Sequence, residues 1–163
     1  MKPGSFKQWL KERMGLDADT IGPTVVDRAV RERMAASASG SLSEYWELLR
    51  DSAPEQQELI EAVVVPETWF FRDTEAFAAL ARIHDLQWAA THPGALRLLS
   101  LPCSTGEEPY TMAMALRDAG FPIERLDIDA IDISERALAK ARQGVYGSNS
   151  FRGRDLGYRD RHF

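Results

Sequence analysis

The sequence predicts an α plus α/β chain: a small N-terminal helical bundle, then the first part of a Rossmann-like, doubly wound parallel sheet. Three observations predict it. In residues 1–65 apolar side chains recur at helical steps of three and four. After residue 65, two short apolar runs, Leu96 to Leu101 and Leu126 to Ile133, alternate with helical segments. The loop after the first run leads into an acidic helix start, Glu107-Glu108-Pro109, where a doubly wound fold places its ligand.

The bundle has four helices. Phe6, Trp9, Leu10 and Met14 form one face of the first, which Gly15 and the stretch Asp17 to Pro23 break. Val25, Val26, Ala29, Val30 and Met34 mark the second, which ends in the small-residue run Ser37 to Ser41. Ser43 is read as the N-cap of a third, carrying Tyr45, Trp46, Leu48 and Leu49. Ser52 caps a fourth, with Pro54 in its first turn and Leu59, Ile60 and Val63 facing inward.

Pro66 to Phe71 is a connector. Asp73 or Thr74 then opens a long helix through Phe77, Leu80, Ile83, Leu86 and Ala90, stopped by Pro93 and Gly94. Leu96 to Leu101 reads as a strand buried on both faces. Glu107 to Ala119 is a helix closed by Gly120. Leu126 to Ile133 is a second strand, with Asp127, Asp129 and Asp132 interleaved. Ser134 caps a helix carrying Ala137, Leu138 and Ala141, and Gly144 closes it. Strand, helix, strand and helix in that order make a βαβ unit with a right-handed crossover.

Composition sets outer limits. The 163 residues hold 20 Lys and Arg against 25 Asp and Glu, a net charge of -5, which argues against a nucleic-acid coat. Hydrophobic residues at 44% and charged residues at 28% match a globular protein rather than a disordered one. No apolar run reaches the roughly 20 residues that span a bilayer, so no direct membrane insertion is expected. The N-terminus, Met1-Lys2-Pro3-Gly4, lacks a signal-type apolar stretch, and the expected location is the cytoplasm. The lone Cys103 permits no intramolecular disulfide and no cysteine-based zinc cluster, and no metal is expected.

The loop Pro102-Cys103-Ser104-Thr105-Gly106-Glu107-Glu108-Pro109 carries the chemistry. It has one Gly where the dinucleotide fingerprint needs three, and no Gly-Lys-Ser/Thr of a P-loop. A pyrophosphate wants free N–H groups and a positive helix end. Here Glu107 and Glu108 add negative charge and Pro109 removes a donor, so the site repels phosphate and suits a cationic or hydroxyl-bearing ligand. Asp132, at the end of the second strand, can accept bonds from a ribose. A phosphate-free nucleoside with positive charge is S-adenosylmethionine. The two glutamates also stabilise the helix start without a ligand, by roughly 0.3–1 kcal/mol each. Cys103 reads as a small apolar filler.

These residues meet a known pattern. Pro66-Glu67-Thr68-Trp69-Phe70-Phe71-Arg72-Asp73, with Glu75 and Phe77 following, resembles the Thr-x-Phe-Phe-Arg segment of the CheR-type chemoreceptor methyltransferases. Ser104 to Tyr110 resembles their cofactor loop, and Ala130-Ile131-Asp132-Ile133-Ser134 their second-strand segment. Ser100-Leu101-Pro102-Cys103 and Asn149-Ser150-Phe151-Arg152-Gly153 are most similar to the Wsp-type members, which serve surface-sensing receptors. The resemblance covers essentially the whole chain. It implies a class I methyltransferase domain and an S-adenosylmethionine-dependent protein-glutamate O-methyltransferase. The product nucleoside would be S-adenosylhomocysteine, and the targets the cytoplasmic helices of methyl-accepting chemoreceptors.

By resemblance, Thr68 and Arg72 contact the carboxylate end of the cofactor, Glu108 with its neighbour Glu107 faces its amino group, and Asp132 binds the ribose. Arg72 is also the residue implied in catalysis. Residues 1–65 are implied in receptor docking and as a lid over the cofactor site, and residues 66–163 as the methyltransferase domain. Arg28, Arg31 and Arg33 on the second helix are the implied docking residues, though Asp27 and Glu32 among them fit a solvated face equally well. A seven-stranded family sheet does not fit into residues 66–163, so the chain is expected to be C-terminally incomplete. The alternative reading is a non-catalytic receptor-interaction module with a vestigial or partial cofactor site.

Overall fold

The computed structural model describes residues 4–15, 22–82, 91–92, 94–153 and 156–163. The chain divides into two compact units, Met1–Val65 and Pro66–Phe163.

The first unit consists of α1 (Gly4–Met14), α2 (Pro23–Ala36), α3 (Leu42–Asp51) and α4 (Ala53–Val63). Its core joins Phe6 and Leu10 of α1, Val26, Ala29 and Val30 of α2, Tyr45 and Leu49 of α3, and Leu59 and Val63 of α4. The Phe6 ring stacks on Tyr45 at 5.8 Å and meets Trp46 edge-on at 5.1 Å. Leu48 is 37% exposed because the buried stripe of α3 runs through Tyr45 and Leu49, one turn apart.

Two caps can be compared directly. Ser52 caps α4 as expected, its hydroxyl accepting the Glu55 N–H at 3.3 Å with proline in the first turn. For α3 the cap is Ser41 and not Ser43. Ser41 is extended (φ -149°, ψ 157°) and accepts the Glu44 N–H at 3.2 Å, while Ser43 already lies in the first turn. A cap must be extended and three residues before the acid it pairs with, and only Ser41 meets both conditions.

The second unit contains α5 (Thr74–Ala81), β1 (Leu96–Ser100), α6 (Glu107–Asp118), β2 (Leu126–Ala130), α7 (Glu135–Gln143) and the single turn α8 (Arg159–His162). Asp73 caps α5 through the Ala76 N–H at 3.2 Å. The expected continuation of α5 through Ile83, Leu86 and Ala90, and its stop at Pro93, lie outside the described residues, as does most of the break expected after α1. β1 and β2 pair in parallel, Leu96 opposite Leu126 through Ser100 opposite Ala130, with α6 in the connection. Ser134 caps α7 by accepting the Ala137 N–H, and Gly144 closes it in the left-handed conformation.

β1 is covered on one face only. Leu96 and Ser100 are buried and Leu98 is half-buried, whereas Arg97 is exposed and Leu99 is 55% exposed. The strand read as buried on both faces is thus corrected by its own two-residue period, which sets Arg97 beside Asp127 and Asp129 on the open side. The covered side packs Leu96 with Leu116 and Phe121, beneath Leu80 and Leu126. Among the described residues no helix is long and apolar enough to cross a membrane.

Candidate functional site

The backbone ladder continues past both strands. The Ile131 N–H donates to the Ser100 carbonyl at 3.0 Å, and the Cys103 N–H to the Ile131 carbonyl at 2.9 Å. This sets the loop after β1 against the loop after β2. Ser104, at φ 48°, then points its N–H at Asp132 Oδ2, 2.7 Å away. The other oxygen, Oδ1, accepts the Ser134 N–H at 2.8 Å. Asp132 is thereby a clamp between the two loops, each oxygen keeping capacity for another donor.

Gly106 turns the loop into α6 at φ 97°. A Cβ here would sit 2.7 Å from Tyr146 Oη and 2.8 Å from Ala141 Cβ, so both the conformation and the space require glycine. Tyr146 closes the turn by donating its hydroxyl to the Thr105 carbonyl at 2.9 Å.

The two glutamates of the helix start are treated differently. Glu107 is 2% exposed. Its Oε2 accepts the Thr105 hydroxyl at 2.6 Å and its Oε1 the Ser150 hydroxyl at 2.7 Å. A buried carboxylate needs such donors, and Glu107 spends its two oxygens inside the protein. Glu108 is half-buried and accepts the Ser100 hydroxyl at 2.7 Å, at the last residue of β1. Burial raises the Cys103 thiol above its ordinary range, and the nearby charges of Asp132 and Glu108 push it further. The cysteine therefore marks the spot where those two carboxylates share an electronegative neighbourhood. Its own role is packing, at 1% exposed.

Thr68 and Arg72 lie on the connector before α5. Arg72 is exposed, folded back on its own turn: Nη1 donates to the Glu67 carbonyl at 2.7 Å, and the guanidinium sits 4.8 Å from the Trp69 ring centroid. The connector is fixed to α6 where the Phe71 N–H meets Thr111 Oγ1 at 3.3 Å, one turn after Glu107. The structure thus sets Glu108 against the end of β1 and Asp132 against the loop that follows β1, and ties the connector carrying Thr68 and Arg72 to Thr111 and Ser150 through the backbone of Phe71 and Phe70.

The three arginines of α2 separate. Arg28 and Arg31 are exposed, Arg28 in a loose 3.7 Å pair with Glu32. Arg33 turns inward instead. It donates Nε and Nη2 to the two oxygens of Glu55 at 2.9 and 2.8 Å, and Nη1 to Glu58 at 3.0 Å. Its helical phase puts it beside Val26 and Val30 on the packed face, so its charge is committed within the bundle. Ser100, Thr111 and Ser150 are the residues that composition and spacing did not single out for the site. A serine ending a buried strand and a threonine one turn after an acidic helix start were the available signals.

The donor set fits S-adenosylmethionine. Ser104 Oγ is enclosed in the loop with no hydrogen-bond partner among the described residues. Asp132 and Glu108 offer carboxylate oxygens beside it, and Glu107, Glu108 and Pro109 leave no phosphate cradle. Comparison with known proteins agrees. Residues 66–163 match the family model of the CheR methyltransferase SAM-binding domain, and residues 4–64 that of the CheR methyltransferase all-alpha domain. The chain is 55% identical over 97% of its length to a protein of Pseudomonas aeruginosa named probable biofilm formation methyltransferase WspC, covering 38% of that protein. It is 52% identical to its namesake in Pseudomonas putida, over 100% of the chain and 39% of the relative. It is 32% identical to chemotaxis protein methyltransferase 2 of Vibrio cholerae, over 89% of the chain and 52% of that protein. The chain thus spans less than two-fifths of the length of these two WspC proteins. By both family models and these identities, the chain belongs to the CheR methyltransferase family, whose SAM-binding domain takes S-adenosylmethionine as cofactor.

Proposed function

We propose that the protein carrying this chain is an S-adenosylmethionine-dependent protein-glutamate O-methyltransferase that esterifies glutamates on the cytoplasmic helices of a chemoreceptor of the surface-sensing kind. The observation that carries the reading is the pair of carboxylates set beyond β1 and β2, Glu108 in the first turn of α6 bonded to Ser100 and Asp132 bonded to the Ser104 N–H. Asp132 would hold the ribose, Glu108 the amino group, and Thr68 and Arg72 the carboxylate end. Held by these residues, S-adenosylmethionine would supply an electrophilic methyl group, with S-adenosylhomocysteine as the product nucleoside.

The chain's own task is placement. A glutamate side chain, with its ordinary pKa near 4.3, is already ionised at neutral pH, so the acceptor needs no general base. Arg72 can orient that carboxylate through its planar fork. The aromatic cluster of Phe70, Phe71, Tyr146 and Phe151 restricts water on one side of the connector. Arg28 and Arg31 supply positive charge for docking on acidic receptor helices.

Transfer of labelled methyl from S-adenosylmethionine to a receptor cytoplasmic fragment, released again by mild alkali, tests the reading. Absence of transfer by the full-length protein defeats it. One observation favours the alternative of a non-catalytic module: both oxygens of Asp132 already serve the backbone. Calorimetric titration with S-adenosylhomocysteine separates the two, since only the methyltransferase reading requires binding.

A further inference from the structure

The segment after α7 carries a residue that touches both halves of the proposed site. Ser150 donates its hydroxyl to Glu107 Oε1 at 2.7 Å, and its carbonyl accepts the Phe70 N–H at 2.9 Å. Glu107 belongs to the cofactor loop through its bond with Thr105. Phe70 lies midway between Thr68 and Arg72. Ser150 is therefore a two-bond bridge from the loop to the connector.

The surroundings make the bridge rigid. Phe70 is fully buried, with its ring 4.8 Å from Tyr146, 5.3 Å from Phe151 and 5.0 Å from Phe163. Arg152 sits 5.2 Å from the centroid of Trp69, the ring that also receives Arg72. Phe71, directly before Arg72, is held at φ 56°. A bulky residue in that region is strained and persists only where its surroundings over-determine it. A connector serving only as a link between helices has no need of such strain. One that must present Arg72 in a set place does.

We propose that Ser150 is a positioning residue for Arg72, tying the connector to the buried carboxylate of Glu107 so that the cofactor loop and Arg72 keep one relative placement. This rests on the methyltransferase reading and on the role of Arg72 within it. Ser150 itself contacts neither cofactor nor acceptor. Its loss leaves Glu108 and Asp132 in place and disturbs only the connector, so turnover should fall further than nucleoside affinity.

The test uses the full-length protein with S-adenosylmethionine and a receptor cytoplasmic fragment. Ser150→Ala is expected to lower kcat about 10- to 100-fold, as small misplacements of a reacting pair do, with S-adenosylhomocysteine affinity falling by less than kcat because the contacts of Glu108 and Asp132 are kept. Ser150→Thr, which restores the hydroxyl, should recover most of the turnover. In an Arg72→Ala background, Ser150→Ala should cost little further, because the placed group is gone. A folded Ser150→Ala with native kcat overturns the proposal, and so does a loss that simply adds to that of Arg72→Ala. If Arg72→Ala alone keeps native turnover, the role of Arg72 has failed instead, and that result is distinct. Should Ser150→Ala not fold, with Glu107 left short of a donor, Ser150→Ala/Glu107→Gln removes the buried charge. Compared with Glu107→Gln alone, it should show the same drop in kcat, and equal rates there refute the bridge.

Discussion

Replacing Arg33 by alanine should unfold the helical unit's polar centre rather than weaken receptor docking. Arg33 makes three charge-assisted bonds to two carboxylates, and the side chains of Arg33 and Glu55 are 19% and 9% exposed. Without Arg33, Glu55 keeps a single side-chain donor, the Tyr45 hydroxyl at 3.0 Å. Breaking a fully buried pair costs about 3–5 kcal/mol, and the partial exposure of Arg33 and Glu58 places the expected loss near the lower end, about 3 kcal/mol. Burial alone would raise the Glu55 carboxyl, but the bonds from Arg33 and Tyr45 overcome it and hold the group below the ordinary glutamate range. A carboxylate depressed in the folded state stabilises above its unfolded pKa and stops doing so as pH falls through the folded value. The gap between wild type and Arg33→Ala should be full at pH 7 and shrink below about pH 4.5. Arg33→Met/Glu55→Leu, which removes both charges, should lose less than Arg33→Ala. Urea unfolding of the chain followed by far-UV circular dichroism, at pH 7 and pH 3.5, measures all of this. A loss under about 0.5 kcal/mol at pH 7, the range of an ordinary surface change, would refute the reasoning. A gap independent of pH would do the same.

Three more outcomes follow from the geometry. Asp132→Ala, which removes the acceptor of the Ser104 and Ser134 N–H groups as well as the proposed ribose contact, should weaken S-adenosylhomocysteine binding by about 1–3 kcal/mol in calorimetry. Unchanged affinity in a folded variant removes Asp132 from the site. Gly106→Ala forces a side chain into a left-handed turn and against Ala141, and should lower stability by about 2–4 kcal/mol in urea unfolding. Arg28→Glu/Arg31→Glu should weaken binding to an acidic receptor fragment, more at low salt than at high, with unfolding unchanged because both side chains are exposed. Equal binding at every salt concentration would take the docking role away from this face.

How legible the chain was depends on how local each feature is. The α plus α/β order, the Ser52 and Ser134 caps, the Gly144 stop and the phosphate-excluding loop were readable because each depends on a few neighbouring residues, whose periods and hydrogen bonds the chain carries within itself. The choice of Ser41 over Ser43, two residues apart, turned on backbone conformation. Features that need two distant segments were invisible. Glu107 and Glu108 are adjacent and chemically identical, yet one bonds Ser150, 43 residues on, and the other bonds Ser100 at the end of β1. Arg28, Arg31 and Arg33 share one helix and one charge, yet only Arg33 meets Glu55, 22 residues away in α4. The sequence by itself determined which elements form and that two carboxylates open the helix after β1. The tertiary structure alone decided which carboxylate and which guanidinium remain available, because burial and partner choice are set by what packs against a residue and not by its type.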